Sequence, residues 1–415
     1  VENIIMSPLK VLLHNSPQEW ADATRNTAHL LTGTDNDHPP EWIKDHYGEA
    51  FPEIECFQNY AMNDLVAKRA DRLLANGGFK RIIPMAEADV LRAAWLRERH
   101  GLTGIRPEDA VYMRDKFLMK QCASAAGVLV AEFRKVRNAF ELLDFADEVG
   151  FPVVLKPISG KGSAETFILN SETELDSLLS SGIFAGIERE PDMLAEAFVD
   201  GTQLRVDGYY SQGVCRFMSA ARYVGSHLDF LHGGFMSSVI LDTRSDLSRD
   251  VIEFTRNLLE KVLPFGPDGL FHVELWQRPD GKLVLGEAAQ RLGGGSMSQG
   301  NRASFGVDYT MDAVRAFCGF EPHGRSRTQG VQEQLAGQTT ISPRVGVLTE
   351  VPRSAPFDWV LDYTHAPAGR RYQAMRHTNG EIATFIVSGA TGDQVEERLR
   401  TCVDWFYANA EWSDE

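Results

Sequence analysis

The stretch FHVELWQRPDGKLVLGEAAQRLGGG, residues 271–295, holds two short apolar runs separated by Arg278-Pro279-Asp280-Gly281. Proline and glycine in that order are strong turn chemistry, so the stretch predicts a hairpin of strands, Phe271 to Trp276 and Leu283 to Glu287. Strand residues at even spacing share a face, which sends His272, Glu274 and Trp276 to one side. Glu287 ends the second strand. Two carboxylates on neighbouring strands repel each other unless a cation lies between them, and hard oxygen donors of this kind select Mg²⁺. The plain alternative is a pair of surface glutamates, against which the flanking leucines and valines favour burial. Arg291 stands four residues after Glu287, just before three glycines. A planar guanidinium beside a metal can hold a carboxylate or steady the oxyanion of a tetrahedral intermediate; its bland role is a structural pair with Glu287.

Upstream, FPVVLKP at residues 151–157 reads as an apolar strand ending in Lys156. There an ammonium either reaches a phosphate or simply meets water. The loop Ser159, Gly160, Lys161, Gly162, Ser163 offers backbone N–H groups to phosphate oxygens, or is a flexible turn. Neither a Walker A motif nor a dinucleotide GxGxxG fits, because the lysine spacing is wrong and no helix follows at once.

Working outward, Leu9 to His14 reads as a first strand, residues 63–76 as a helix stopped by Gly77 and Gly78, and Arg81 to Pro84 as a buried strand. That rhythm belongs to a parallel sheet with covering helices. A helix from Asp115 to Gly127, a strand from Val128 to Phe133, a helix near residues 138–149 and strands at Val153, Thr166 and Met193 form a smaller α+β unit. Gln203 to Tyr210 and Gly213 to Ala221 predict a further hairpin, and helices are expected near Tyr309 to Phe317 and Gln394 to Tyr407.

The chain has 415 residues, 43% of them hydrophobic, enough for two to four packed units. Its 58 acidic against 42 basic residues give a net charge of −16, which repels a phosphate backbone and argues against nucleic acid as a partner. Cys56, Cys122, Cys215, Cys318 and Cys402 stand singly, so no disulfide framework or zinc site is expected. No run approaches the length of a membrane span, and a cytoplasmic location is expected. Val1 is not methionine, which leaves room for a removed leader.

Taken in order, these residues resemble the ATP-grasp superfamily of carboxylate–amine ligases, and most of all the L-amino-acid ligases that make dipeptides; the match runs from about Asp115 to Asp308. Arg114-Asp115-Lys116 resembles the opening of the grasp domain, whose lysine contacts ATP phosphate, and Lys156 resembles the second such lysine. Glu196, Ala197, Phe198 and Val199 look like the hinge whose backbone reads adenine. Where such families often hold the ribose with a glutamate, this chain has Gln203, which still hydrogen-bonds a hydroxyl; Asp200 is the alternative. Glu274 and Glu287 match the metal carboxylates, with Ala289 where an asparagine is frequent. Arg291 matches the substrate arginine of the dipeptide ligases.

The resemblance implies an ATP-grasp fold of α/β and α+β type: an N-terminal α/β domain over 1–112, a lid subdomain over 113–199, and a mixed-sheet C-terminal body over 200–415. It implies ATP and Mg²⁺, and a small-molecule carboxylate and amine as substrates. It further implies an acyl phosphate, and peptide-bond formation of the kind antibiotic pathways use. Room remains for a homodimer. The alternatives are a ligase that loads an amino acid onto a carrier protein and a non-catalytic ATP-binding module. The region 219–238, with Arg222, Tyr223, His227 and His232, is the expected wall of a substrate pocket.

Overall fold

The computed structural model describes residues 1–160, 165–185, 192–225, 230, 233–322, 332–375 and 380–413. Its first sheet is wholly parallel, in the order β3-β2-β1-β4, and is built from β1 (Asn3–Ser7), β2 (Ala28–Gly33), β3 (Glu53–Phe57) and β4 (Arg81–Pro84). β1 and β2 are buried along their full length, as central strands of a parallel sheet must be.

The run at Leu9 is not the first strand. It forms the short helix Leu9–Leu12, because Leu9 and Leu12 are buried at a spacing of three, while the strand lies upstream in NIIMS. β2 and β3 escaped the sequence reading because AHLLTG and EIECF carry polar residues. These are satisfied locally, as where His29 Nε2 meets Glu55 at 2.9 Å. The helix Glu87–His100 follows β4. It carries Glu87 and Asp89 in its first turn and Arg97, Arg99 and His100 in its last, as the helix dipole favours, and stops at the left-handed Gly101.

The second sheet, β5-β8-β6-β7, is antiparallel: β5 (Phe133–Val136), β6 (Val153–Pro157), β7 (Phe167–Leu169) and β8 (Met193–Ala197). It has its own core, in which Val136, Phe145, Leu155 and Leu175 meet. The strand expected at Val128 to Phe133 begins only at Phe133. Val128 and Val130 pack instead on the core of the larger sheet, and Val130 bridges to Leu285. The preceding helix, Lys116–Ala125, is capped by Asp115, whose carboxylate accepts the Leu118 N–H at 2.8 Å.

The large sheet has eight strands, β13-β12-β9-β10-β11-β14-β18-β16. They are β9 (Thr202–Ser211), β10 (Val214–Val224), β11 (Phe235–Ile240), β12 (Gly269–Gln277), β13 (Leu283–Ala289), β14 (Leu335–Ile341), β16 (Val360–His365) and β18 (Ala383–Gly389). A small sheet, β17-β15-β19, joins β15 (Gly346–Glu350), β17 (Arg370–Tyr372) and β19 (Glu411–Ser413). Both predicted hairpins are present. β9 turns into β10 through Gln212 and Gly213, each at positive φ, the backbone that suits a twisted hairpin. The helices Tyr309–Phe317 and Gly392–Asn409 stand where expected.

One core runs from the first sheet into the large one: Ile5, Trp20, Leu30 and Phe51 pack in the same cluster as Tyr209, Phe217, Tyr309 and Phe317. This continuity sets the ends of β1 and β4 beside the large sheet, where Pro8 and the segment 85–88 reach the cavity described next.

Candidate active site

Glu274 and Glu287 are register partners across β12 and β13. Even spacing alone would put Leu285 and Glu287 on one face. A register shift intervenes: Leu275 pairs with Leu285 while Glu274 pairs with Glu287, so Gly286 is the extra residue of a bulge. The shift brings Glu287 into register with Glu274 at the cavity, while Leu285 packs in the core and also borders the cavity. Only glycine fits, since a Cβ there would lie 2.1 Å from the Trp276 ring.

Both glutamates line one cavity of about 1220 Å³ between the small antiparallel sheet, the large sheet and the end of the first sheet. His272 and Trp276 line it too, on the face the alternation predicts. Glu274 accepts the Tyr223 hydroxyl at 3.1 Å and lies 3.2 Å from His272 Nε2. The other ring nitrogen of His272 meets Asp207 at 2.8 Å. Burial lowers the pKa of the His272 imidazole from its usual value, against the pull of the Glu274 carboxylate. Gly293 closes over this group, where a Cβ would come within 2.5 Å of Asp207.

Three lysines line the cavity, two from the helix Lys116–Ala125 and one from β6. Lys116 Nζ lies 3.4 Å from Glu287 and donates to the Gly160 carbonyl at 2.8 Å. Lys120, one helical turn on, and Lys156 both pair with the buried Glu196, Lys120 at 2.6 Å. Burial opposes charge on Glu196, but Lys120 and Lys156 outweigh it and hold the carboxyl down at about 2. A carboxylate lowered in this way from an ordinary 4.5 contributes stability that is complete above about pH 4.5 and is lost as the pH falls toward 2. Glu196→Gln is therefore expected to flatten acid unfolding in that window. It should also destabilise the fold at neutral pH by about 3–5 kcal/mol, since two buried ammonium groups lose their partner. Circular dichroism against pH checks both; an unchanged profile would contradict the role given to the pair.

The sequence singled out Glu196 for its backbone, yet its side chain is the hub for two lysines. Beyond it, Ala197, Phe198, Val199 and Gln203 all line the cavity, and the Val199 N–H has no acceptor among the described residues. Gly160 lines it as well. Ser159 does not, its carbonyl instead accepting from Arg114 at 3.1 Å. Lys161, Gly162 and Ser163 lie outside the described residues, as do His227 and His232. Of the expected substrate wall, Arg222, Tyr223, Val224, Gly225 and Met236 line the cavity.

Arg291 lines the cavity, and its carboxylate partner is Glu87 rather than Glu287, at 3.3 Å from Nε. Glu87 also binds Arg114, so one buried carboxylate at the start of a helix holds two guanidiniums. Sequence reasoning passed over Glu87, Lys120 and Asp207. Lys120 was readable as the i+4 neighbour of Lys116 on one helix face. Glu87 follows the carboxyl end of a parallel strand, where α/β sheets place ligands.

With this geometry in view, the chain can be compared with known proteins. A structure of an L-amino acid ligase from Bacillus licheniformis superposes over 100% of this chain and 99% of its own, with a TM-score of 0.75 at 14% identity. The chain has the ATP-grasp fold. The biotin carboxylase domain of a 2-oxoglutarate carboxylase from Hydrogenobacter thermophilus, in complex with MgADP, ADP and bicarbonate, shares that ATP-grasp architecture over 99% of this chain and 90% of its own. Its TM-score is 0.67 at 15% identity. In sequence, this ATP-grasp chain is related to carboxylate–amine ligases. It is 27% identical over 237 residues to an L-arginine-specific L-amino acid ligase of Bacillus subtilis, a match covering 57% of each chain. No family profile matches the sequence. Among the described residues, no helix is long and apolar enough to cross a membrane.

Proposed function

We propose that this chain is an ATP-dependent ligase that activates a carboxylate as an acyl phosphate and couples it to an amine, releasing ADP and phosphate. The observation that carries this reading is the facing pair Glu274 and Glu287 in a cavity that also collects three lysines and Arg291. The proposed division of labour keeps the boundaries 1–112, 113–199 and 200–415, with nucleotide held between the second unit and the third.

Among the described residues no cluster of three or more metal-binding side chains occurs, so the protein offers a cation two carboxylates. That donor set suits Mg²⁺, which keeps several waters and takes its other ligands from phosphate oxygens. Glu274 and Glu287 would hold it, and when bound it offsets charge on the phosphates. The backbone of Glu196 to Val199 would read adenine, Gln203 the ribose, and Lys116 and Lys156 the phosphates, exchanging their present contacts with Gly160 and Glu196. The loop from Ser159 to Ser163 would cover the phosphates and exclude water that hydrolyses an acyl phosphate.

A carboxylate oxygen of the acid attacks the γ-phosphorus and the bond to ADP breaks. The amine nitrogen then attacks the acyl carbon, Arg291 steadies the resulting oxyanion, and phosphate leaves as the nitrogen gives up a proton. ADP release measured against a panel of carboxylic acids, with and without amines, tests the reading. ADP formation that needs both an acid and an amine supports it, and nucleotide binding with no turnover on any pair opposes it. Lys156→Ala is expected to raise the KM for ATP at least tenfold, by loss of a phosphate contact. An unchanged KM for ATP would reduce Lys156 to a structural partner of Glu196.

A further inference from the structure

The cavity holds a second group with the composition of Arg114, Glu87 and Arg291, and the proposed chemistry does not use it. Arg222 on β10 and Arg400 on the helix Gly392–Asn409 share one carboxylate, Glu396, and all three line the cavity. Arg222 Nη1 binds one oxygen of Glu396 at 2.5 Å, and Arg400 binds the other through Nε at 3.1 Å and Nη2 at 2.9 Å. The remaining carboxylate nearby, Asp393, lies 3.7 Å from Arg222 and is fully exposed, so water screens it. Of the three side chains that line the cavity here, two are guanidiniums and one is a carboxylate. Arg400 is half exposed, lies over the Phe235 ring at 5.7 Å and spends Nε and Nη2 on Glu396, which leaves its Nη1 edge without a hydrogen-bond partner among the described residues.

The place of this group matters as much as its charge. Arg222 precedes Tyr223, whose hydroxyl binds Glu274. β10 and β12 are separated only by β9, so the backbone of Arg222 stands two strand spacings, roughly 10 Å, from that of Glu274, and one spacing more from Glu287 on β13. Alternation turns Arg222 toward the C-terminal helix rather than the floor of the cavity. Because β10 ends at Val224, its head still reaches the mouth. An extended adduct of two amino-acid-sized units spans a similar distance, about 3.5 Å per residue plus its end groups.

We propose that Arg222 and Arg400, held by Glu396, form a second anion subsite, which binds a carboxylate of the substrates that is not the one being activated. This rests on the ligase reading above. The second carboxylate belongs either to the acceptor, which is then an amino acid and not a simple amine, or to a dicarboxylic acid donor. The subsite works by binding: it orients the far end of the substrate and takes no part in bond making.

The test compares L-alanine with L-alaninamide as acceptor, and succinate with its monoamide as acid, in the parent protein and in Arg400→Ala, Arg400→Lys and Arg222→Gln. The parent is expected to favour the carboxylate-bearing member of one pair at least tenfold in kcat/KM. Arg400→Ala should erase that preference through KM, with kcat within about twofold and the KM for the amide unchanged, and Arg400→Lys should restore part of it. The pair that discriminates identifies the source. A parent that treats both pairs alike overturns the subsite. So do variants that lose activity equally on acid and amide, or that lower only the melting temperature. If neither these pairs nor the wider panel of acids and amines yields ADP, the ligase reading fails on its own. Calorimetric binding of L-alanine against L-alaninamide, and of succinate against its monoamide, to the ADP-loaded protein then still reads the subsite, and equal affinities within both pairs overturn it.

Discussion

Glu287→Gln is expected to lower turnover by roughly a hundredfold or more while leaving nucleotide affinity within a few-fold of the parent. The substitution keeps the shape of the side chain and the bulge at Gly286 that aims it, but removes a charged oxygen donor facing Glu274. It also leaves Lys116 with the Gly160 carbonyl as its remaining contact. The segment from Glu196 to Val199, proposed to read adenine, starts on β8 in another sheet, so its backbone is expected to stay as it is. Turnover is read by ADP release and affinity by titration with a fluorescent nucleotide, at several Mg²⁺ concentrations. A loss of metal holding appears as a higher Mg²⁺ requirement. Near-normal turnover at low Mg²⁺ would remove Glu287 from the proposed metal site.

Arg291→Ala is expected to abolish ligation with nucleotide binding nearly intact, and Arg291→Lys to lose roughly tenfold or more. A lysine replaces the charge but not the planar pair of donors that a carboxylate or oxyanion receives. Glu87 is the structural partner of Arg291, so Arg291→Ala leaves Glu87 paired with Arg114 and should cost little stability. Melting temperature, nucleotide affinity and product formation on the same preparation separate the outcomes. Unfolding, or ligation at a normal rate, would make Arg291 a structural residue.

Much of this was legible in the sequence where local chemistry and pattern agree. The hairpin at residues 271–295 announced itself through its turn and its alternation, and the order of lysine, hinge, paired glutamates and arginine pointed to an ATP-grasp ligase. Local pattern fails where tertiary contacts choose. Gly286 looked like an ordinary strand residue, yet its bulge is what brings Glu287 into register with Glu274. Leu9 to Leu12 read as a strand because an apolar run that short fits either period. β2 and β3 hid behind polar residues that find partners only in the folded sheet. Glu87 was silent because its meaning lies in two arginines, 27 and 204 residues away in sequence, that the fold brings to it.

The central claim is that a carboxylate is activated by phosphoryl transfer, and following oxygen tests it most directly. With an acid labelled with ¹⁸O in its carboxylate, ATP, Mg²⁺ and an amine, complete turnover should deliver one ¹⁸O atom per amide formed into inorganic phosphate, with ADP as the nucleotide product. Label found in AMP, with pyrophosphate released, would mean adenylation, and phosphate free of label would mean that ATP is hydrolysed without activating the acid; either result contradicts the account.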